Sequence, residues 1–204
     1  LIQALFHLYP ISEGRISIAG ATPKIGGAGD LDLKAYRRSI AFIAQDPALF
    51  RGTLRENLEI ESLHTDAELR AVLERVGLDD WAQPGEDGLD RVIEEKGRNL
   101  SLGEKQLICL ARCLLQNSPV VIMDEATSSI DPKSEEILVR ATEEFFAGRT
   151  QILIAHRLST LRSCDRILWL QNGQIRKLGP THEVLPEFEK ANLSFHGRSG
   201  ILDP

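Results

Sequence analysis

An α/β fold, with a mostly parallel sheet flanked by helices, a small antiparallel portion and an inserted helical subdomain, is what this 204-residue sequence predicts. Three observations carry that expectation. Short apolar runs alternate with longer amphipathic stretches, and Gly and Pro punctuate the boundaries. One run, VVIMD at 120–124, is apolar through its whole body, as in a strand covered on both faces. Near the C-terminus, Asn172-Gly173 joins two strand-like stretches with the dipeptide that best fits a two-residue hairpin loop.

Taken in order, the elements support this layout. The opening LIQALFHLYP reads as the middle of a helix entered without a cap. GRISIAG at 14–20 and SIAFIAQ at 39–45 are strand-like, and the second runs into the turn-forming Asp46-Pro47. TDAELRAVLERVGL at 65–78 is an amphipathic helix begun by a Thr65–Glu68 capping box, with Gly77 near its end. SLGEKQLICLARCLLQN at 101–117 is a helix with Leu107, Ile108, Leu110, Ala111, Leu114 and Leu115 on a broad apolar face. The helical subdomain is expected at about 53–117.

After the strand at 120–124, Asp131 caps a helix with Pro132 at its first position, running to about Phe146 with Gly148 beyond. TQILIAH at 150–156 is expected to be a second buried strand, and 166–179 to be the hairpin. The main domain is placed at 1–186, and 187–204 reads as a loose tail without periodicity.

Composition narrows the function classes. A hydrophobic content of 42% suits a packed domain, and a net charge of −6 argues against nucleic acid as the main partner. No apolar run approaches the length of a membrane span. The three cysteines have no disulfide-framework spacing; Cys109 and Cys113, four apart on a helix, have no second pair to complete a metal site.

In a parallel sheet, groups at the carboxyl ends of central strands converge on one edge, where ligands bind. Gln45, the Asp124-Glu125 pair and His156 stand at such ends. An acid to hold Mg²⁺, a second acid to activate water and a donor for a terminal phosphate make a phosphoryl-transfer set, although each residue alone also reads as the polar end of a strand. The glycine loop with Lys that normally accompanies the set is absent, because no Gly here is followed by Lys. Ser101 and Glu104 form an S-x-x-E capping box, and the same helix start, with unpaired N–H groups and Gly103, suits an anion. The two readings are compatible.

LSLGE at 100–104, the strand ending in Asp124-Glu125, SSID at 128–131 and His156 together resemble the nucleotide-binding domain of ATP-binding cassette transporters, over residues 1 to about 185. SIAFIAQDPALFRGTLRENL at 39–58 resembles the exporter type, and LICLARCLL at 107–115 looks most like the C-terminal cassette of the C subfamily, the multidrug-resistance-associated group. The resemblance implies a P-loop NTPase-like sheet and a set of roles. Asp124 would hold Mg²⁺ through water, Glu125 would be the general base, and His156 would contact the γ-phosphate. Gln45 would link Mg²⁺ and the water to the transmembrane domain. Ser101, Leu102, Gly103 and Glu104 occupy the signature that meets ATP bound by the opposite cassette, and Asp131 the acid of the D-loop at the dimer interface.

The implied ligands are ATP and Mg²⁺. The implied partners are a second cassette in a head-to-tail dimer and the transmembrane domains of the same transporter, at the cytoplasmic face of a membrane and without nucleic acid. The chain is expected to begin just after the glycine-lysine loop, and so to bind ATP weakly and not turn it over by itself. Against the usual L-S-G-G-Q signature, Leu102 replaces a Gly and Glu104 a Gln, which points to reduced signature affinity. The alternatives are a regulatory cassette that binds nucleotide without turnover, against which both Glu125 and His156 speak, and a chromosome-maintenance ATPase. The latter would need a long coiled coil between Gln45 and Ser101, where only a compact helical stretch lies.

Overall fold

The computed structural model describes residues 1–23, 32–59, 61, 63–84, 88–124, 131–155 and 161–196, without the side chains of 142 and 192–196. Two compact units divide the chain, Leu1–Ile154 and Ala155–Pro204.

The first unit opens with α1 (Ile2–Leu5), which has no side-chain cap. Its end is held by α2 (Leu33–Arg38): Tyr36 Oη donates to Leu5 O at 3.0 Å, and Arg37 donates to Phe6 O at 2.9 Å and His7 O at 3.1 Å. Then follow β1 (Ile40–Ile43), the two-residue β2 (Gly52–Thr53), α3 (Leu54–Leu58), α4 (Asp66–Arg75), α5 (Asp79–Ala82) and β3 (Val92–Ile93), which pairs antiparallel with β2. The long helix α6 (Leu102–Gln116) leads into β4 (Val120–Asp124), and α7 (Pro132–Arg140) leads through a wider π turn at Ala141–Phe145 to β5 (Thr150–Ile154).

The main sheet is parallel, in the order β1-β4-β5. Its central strand alternates between two cores. Val121 and Met123 join the large cluster formed with α4, α6 and α7, while Ile122, fully buried, packs with Tyr36 and Ile40 on the other face beside α1 and α2. Burial on both faces is why this strand is apolar throughout.

Capping chemistry sets the helix starts. Thr53, Thr65 and Ser101 each close a full capping box, with Glu56, Glu68 and Glu104. Asp131 caps α7 with Pro132 in the first turn, as the sequence predicts. Helix α6 stops at Asn117 in the left-handed conformation, φ 52°.

The second unit holds the hairpin β6 (Arg166–Gln171) and β7 (Gln174–Pro180) and the helix α8 (Thr181–His196). Asn172 and Gly173 both have positive φ, 52° and 77°, the backbone a type I′ turn requires. Ile167, Val184 and Leu185 form its core, and Trp169 meets Phe188 edge to face at 5.2 Å.

Three expectations change. Residues 14–20 are not a strand: Ile18 and Ala21 bridge only each other across a tight Ala19-Gly20 turn, and among the described residues no neighbouring strand supplies the hydrogen bonds a strand needs. The strand at 150–154 is half-buried rather than buried, because it lies at an edge of the sheet among the described residues. Beyond residue 187 the chain is not a loose tail at once, since α8 runs on to His196 despite Pro186 within it.

The position of β4 makes a direct prediction. Ile122→Ala should destabilise the fold by about 2–5 kcal/mol, the range for deleting a fully buried aliphatic side chain. Chemical denaturation measures this, and a loss under about 1 kcal/mol would contradict a central strand covered on both faces.

Candidate functional site

The parallel register brings the strand ends level. Ile43 sits opposite Met123, and Asp124 opposite Ile154, so β1, β4 and β5 finish at one edge of the sheet. Asp124 is the last residue of β4 and Gln45 follows β1 by two residues. Glu125 and His156 lie outside the described residues.

Asp124 and Ile154 line an open cavity of 1330 Å³ whose walls include α1, α2 and Phe42. Lys34, Arg37, Arg38 and Arg112 also line it, but their N–H groups have partners in the fold. Lys34 and Arg38 pair with Glu61, Arg37 holds the carbonyls after α1, and Arg112 donates to Ala48 O at 2.8 Å. These cations tie elements together and do not form a free anion cradle. The oxygens of Asp124 and Gln45 are the hard donors that Mg²⁺ takes, in sites where substrate phosphates complete its shell.

A second cluster forms where α6 and α7 begin. Ser101, Glu104, Asp131 and Ser134 line a cavity of 440 Å³. Ser101 N and Oγ both donate to Glu104 Oε2, at 2.7 and 2.8 Å, while Glu104 N donates to Ser101 Oγ at 3.2 Å. The Glu104 carboxylate is thus folded back onto the cap. Thr65 and Glu68 repeat the same three bonds at 2.7, 2.8 and 3.4 Å on a helix with no proposed ligand. The capping box alone therefore does not mark an anion site, and Ser101 Oγ must release Glu104 before donating to a phosphate.

Asp131 is engaged in the same way. Its carboxylate accepts from Ser134 N at 3.0 Å and from Ser134 Oγ at 2.7 Å. The Ser134 hydroxyl first, and its backbone N–H second, hold this carboxyl below the ordinary range. Because the folded value is depressed, the cap contributes fully above the ordinary carboxylate pKa and fades as pH falls through the depressed one.

Gly103 sits between the two helix starts. A Cβ there would lie 2.3 Å from Asp131 Oδ2 and 2.4 Å from Ser134 Oγ. The sequence suggests Gly103 for close approach of a phosphate, and the fold adds a reason within the chain: only Gly lets α6 start against the α7 cap. Leu102, at the first position of α6, is half-buried.

The structure thus gathers Ser101, Gly103, Glu104 and Asp131 into one cluster and sets Asp124 in another. Sequence reasoning missed two residues. Ser134 binds the Asp131 carboxylate, and its N3 position after Asp131 was the available sign. Gln106 is 1% exposed, and its Nε2 donates to Ala44 O and Gln45 O, both at 3.0 Å. A polar residue within the buried stripe of an amphipathic helix, four before Leu110, was its sign.

Cys109 and Cys113 are core residues. Burial raises both thiols, Cys113 to about 12, which opposes the thiolate a metal would need. Among the described residues no cluster of three or more His, Cys, Asp or Glu is placed to hold a metal, and no helix is long and apolar enough to cross a membrane.

Comparison with known proteins agrees in kind. The family model described as "ABC transporter" matches residues 1–128. The chain is 43% identical over 176 residues to "ABC transporter C family member 3" of Dictyostelium discoideum, covering 86% of this chain and 12% of that protein. To "ATP-binding cassette sub-family C member 4" of Homo sapiens it is 36% identical over 189 residues, covering 93% and 14%. The solved "Structure of a bacterial Atm1-family ABC exporter with ATP bound" matches with a TM-score of 0.80 at 29% identity, covering all of this chain and 35% of that one. The chain therefore spans only a small part of the curated relatives it matches.

The helix junction yields a prediction. Gly103→Ala should cost about 1–3 kcal/mol through overpacking, and adding Ser134→Ala should recover part of that, since one of the two obstructing atoms is gone. Unfolding of the single and double variants measures it; purely additive losses would show that the two helix starts are not in contact.

Proposed function

This chain belongs to the ABC transporter family, and on that premise we propose that it is the ATP-binding and ATP-hydrolysing cassette of an exporter, working at the cytoplasmic face of a membrane. What supports the reading most is the level ending of β1, β4 and β5, which sets Gln45 and Asp124 on one edge, with Glu125 next in sequence and His156 two residues after β5. A parallel sheet binds ligands at that edge.

In this reading the residues divide the work of phosphoryl transfer. Asp124 and Gln45 would hold Mg²⁺, which offsets phosphate charge when bound with ATP. Glu125 takes the proton of the attacking water as the new bond to the γ-phosphorus forms and the bond to the β–γ bridging oxygen breaks, leaving ADP and phosphate. His156 donates to the γ-phosphate oxygens, where charge is spread in the transition state.

Ser101, Gly103 and the backbone N–H groups of the α6 start serve an ATP held by a second cassette in a head-to-tail dimer. Asp131 caps its own helix beside Gly103 and so ties the start of α7 to the start of α6. Closure around ATP and reopening after hydrolysis would then drive transmembrane domains of the same transporter. The reading assigns about 53–117, which holds α3 to α6, to the helical subdomain, within a cassette of residues 1–186.

The decisive test is Glu125→Gln in the full-length protein. Mg-ATP binding should persist while turnover falls about 10²–10⁴-fold, the usual contribution of a positioned general base. Radiolabelled ATP binding and single-turnover cleavage measure the two separately, and cleavage at the wild-type rate would remove Glu125 from that role.

A further inference from the structure

Helix α6 presents three polar side chains to the segment from Arg38 to Asn57, and each ends mainly on backbone carbonyls. Gln116 Nε2 donates to Arg38 O and Ile40 O, both at 2.9 Å. Arg112 donates to Ala48 O at 2.8 Å and to Asn57. Gln106 Nε2 donates to Ala44 O and Gln45 O, both at 3.0 Å. From 106 to 116 these contacts extend over roughly 15 Å of helix, so α6 and the strand-to-loop segment are bonded along their length.

Gln106 differs from the other two. It is buried, and its Oε1 finds no hydrogen-bond partner among the described residues. The amide cannot be turned over to relieve this, because its oxygen would then face two carbonyl oxygens. A Leu would fit the apolar stripe without leaving an orphaned acceptor. What Gln does and Leu cannot is hold the two carbonyls at the end of the strand, one of them belonging to Gln45 itself. Gln106 also stands within about one and a half helical turns of Ser101, and closer to Glu104, on the same helix.

We propose that Gln106 is a positioning residue that makes the signature end of α6 and the strand end carrying Gln45 move as one body, so that a displacement at Ser101 is felt at Gln45 within the same cassette. The inference rests on the reading of this chain as an ATP-driven cassette. The coupling is mechanical: good N–H···O bonds occupy a range of roughly 2.7–3.2 Å, so α6 cannot slide past the strand end by much without breaking both bonds. Two sites joined in this way share one conformational equilibrium, and a ligand that biases one biases the other.

The test uses the full-length protein with Mg-ATP as the probe. It reads hydrogen exchange at residues 40–48 and 100–108 across a nucleotide titration, together with kcat and KM. In the wild type the two segments should gain protection with one shared midpoint. Gln106→Met keeps the length of the side chain and removes the donor. It should separate the midpoints about threefold or more and lower kcat roughly tenfold, with KM changed less than about twofold, a smaller loss than the hundredfold a 1 Å misplacement can cause.

Midpoints that remain shared in Gln106→Met, with protection lowered equally in both segments, are what a loss of packing alone produces and would overturn the proposal. Should the variant not fold, the wild type alone decides, since different midpoints for the two segments contradict a single body. A wild type that shows neither protection nor turnover with Mg-ATP overturns the cassette reading itself, and this inference with it.

Discussion

The first unit depends on one constraint: helix α6 must satisfy backbone groups that the sheet leaves over. Its apolar face fills the large core, with Ile108, Leu110 and Ala111 fully buried. Its polar side chains supply donors to the carbonyls of Arg38, Ile40, Ala44, Gln45 and Ala48, which precede, begin or follow β1. Buried carbonyls left without such donors would each cost about 1–3 kcal/mol. One helix therefore decides where β1, the residues after it and Ser101 lie relative to one another.

The same economy appears at the helix starts. Ser101, Glu104, Asp131 and Ser134 satisfy one another's polar groups and the first N–H groups of α6 and α7, with Gly103 giving the clearance. In this state the Ser101 hydroxyl and the Asp131 carboxylate are both committed internally. Engagement of a nucleotide by Ser101 would then exchange one bond for another, so the net gain is smaller than a free hydroxyl would give. Glu104 in place of the usual Gln fits this arrangement, because its carboxylate accepts two hydrogen bonds at Ser101.

Much of this was legible in the sequence, and for local reasons. The capping boxes at Thr65 and Ser101, the Asp131-Pro132 start and the Asn172-Gly173 turn depend on residues within a few positions of one another, so short-range chemistry decides them. The continuous apolar body of 120–124 gave its central place. What escaped depends on distant neighbours. Among the described residues, 14–20 have strand composition but no strand beside them, and 150–154 has the apolarity of a buried strand but lies at an edge. Gln106 bonds to carbonyls 61 and 62 residues away, and the need for Gly103 appears only once α7 is packed against α6. Glu125 and His156 remain readings of the sequence and the family.

The central claim is that this chain contributes its signature to a nucleotide held by another cassette, while its own strand ends serve a nucleotide of their own. Mixed dimers of the full-length protein, with Ser101→Arg on one side only, test it most directly when trapped nucleotide is counted at each site. The account predicts that turnover is lost at the nucleotide bound by the unaltered cassette, which faces the altered signature. Loss instead at the altered cassette's own nucleotide, with the facing site unaffected, would contradict it.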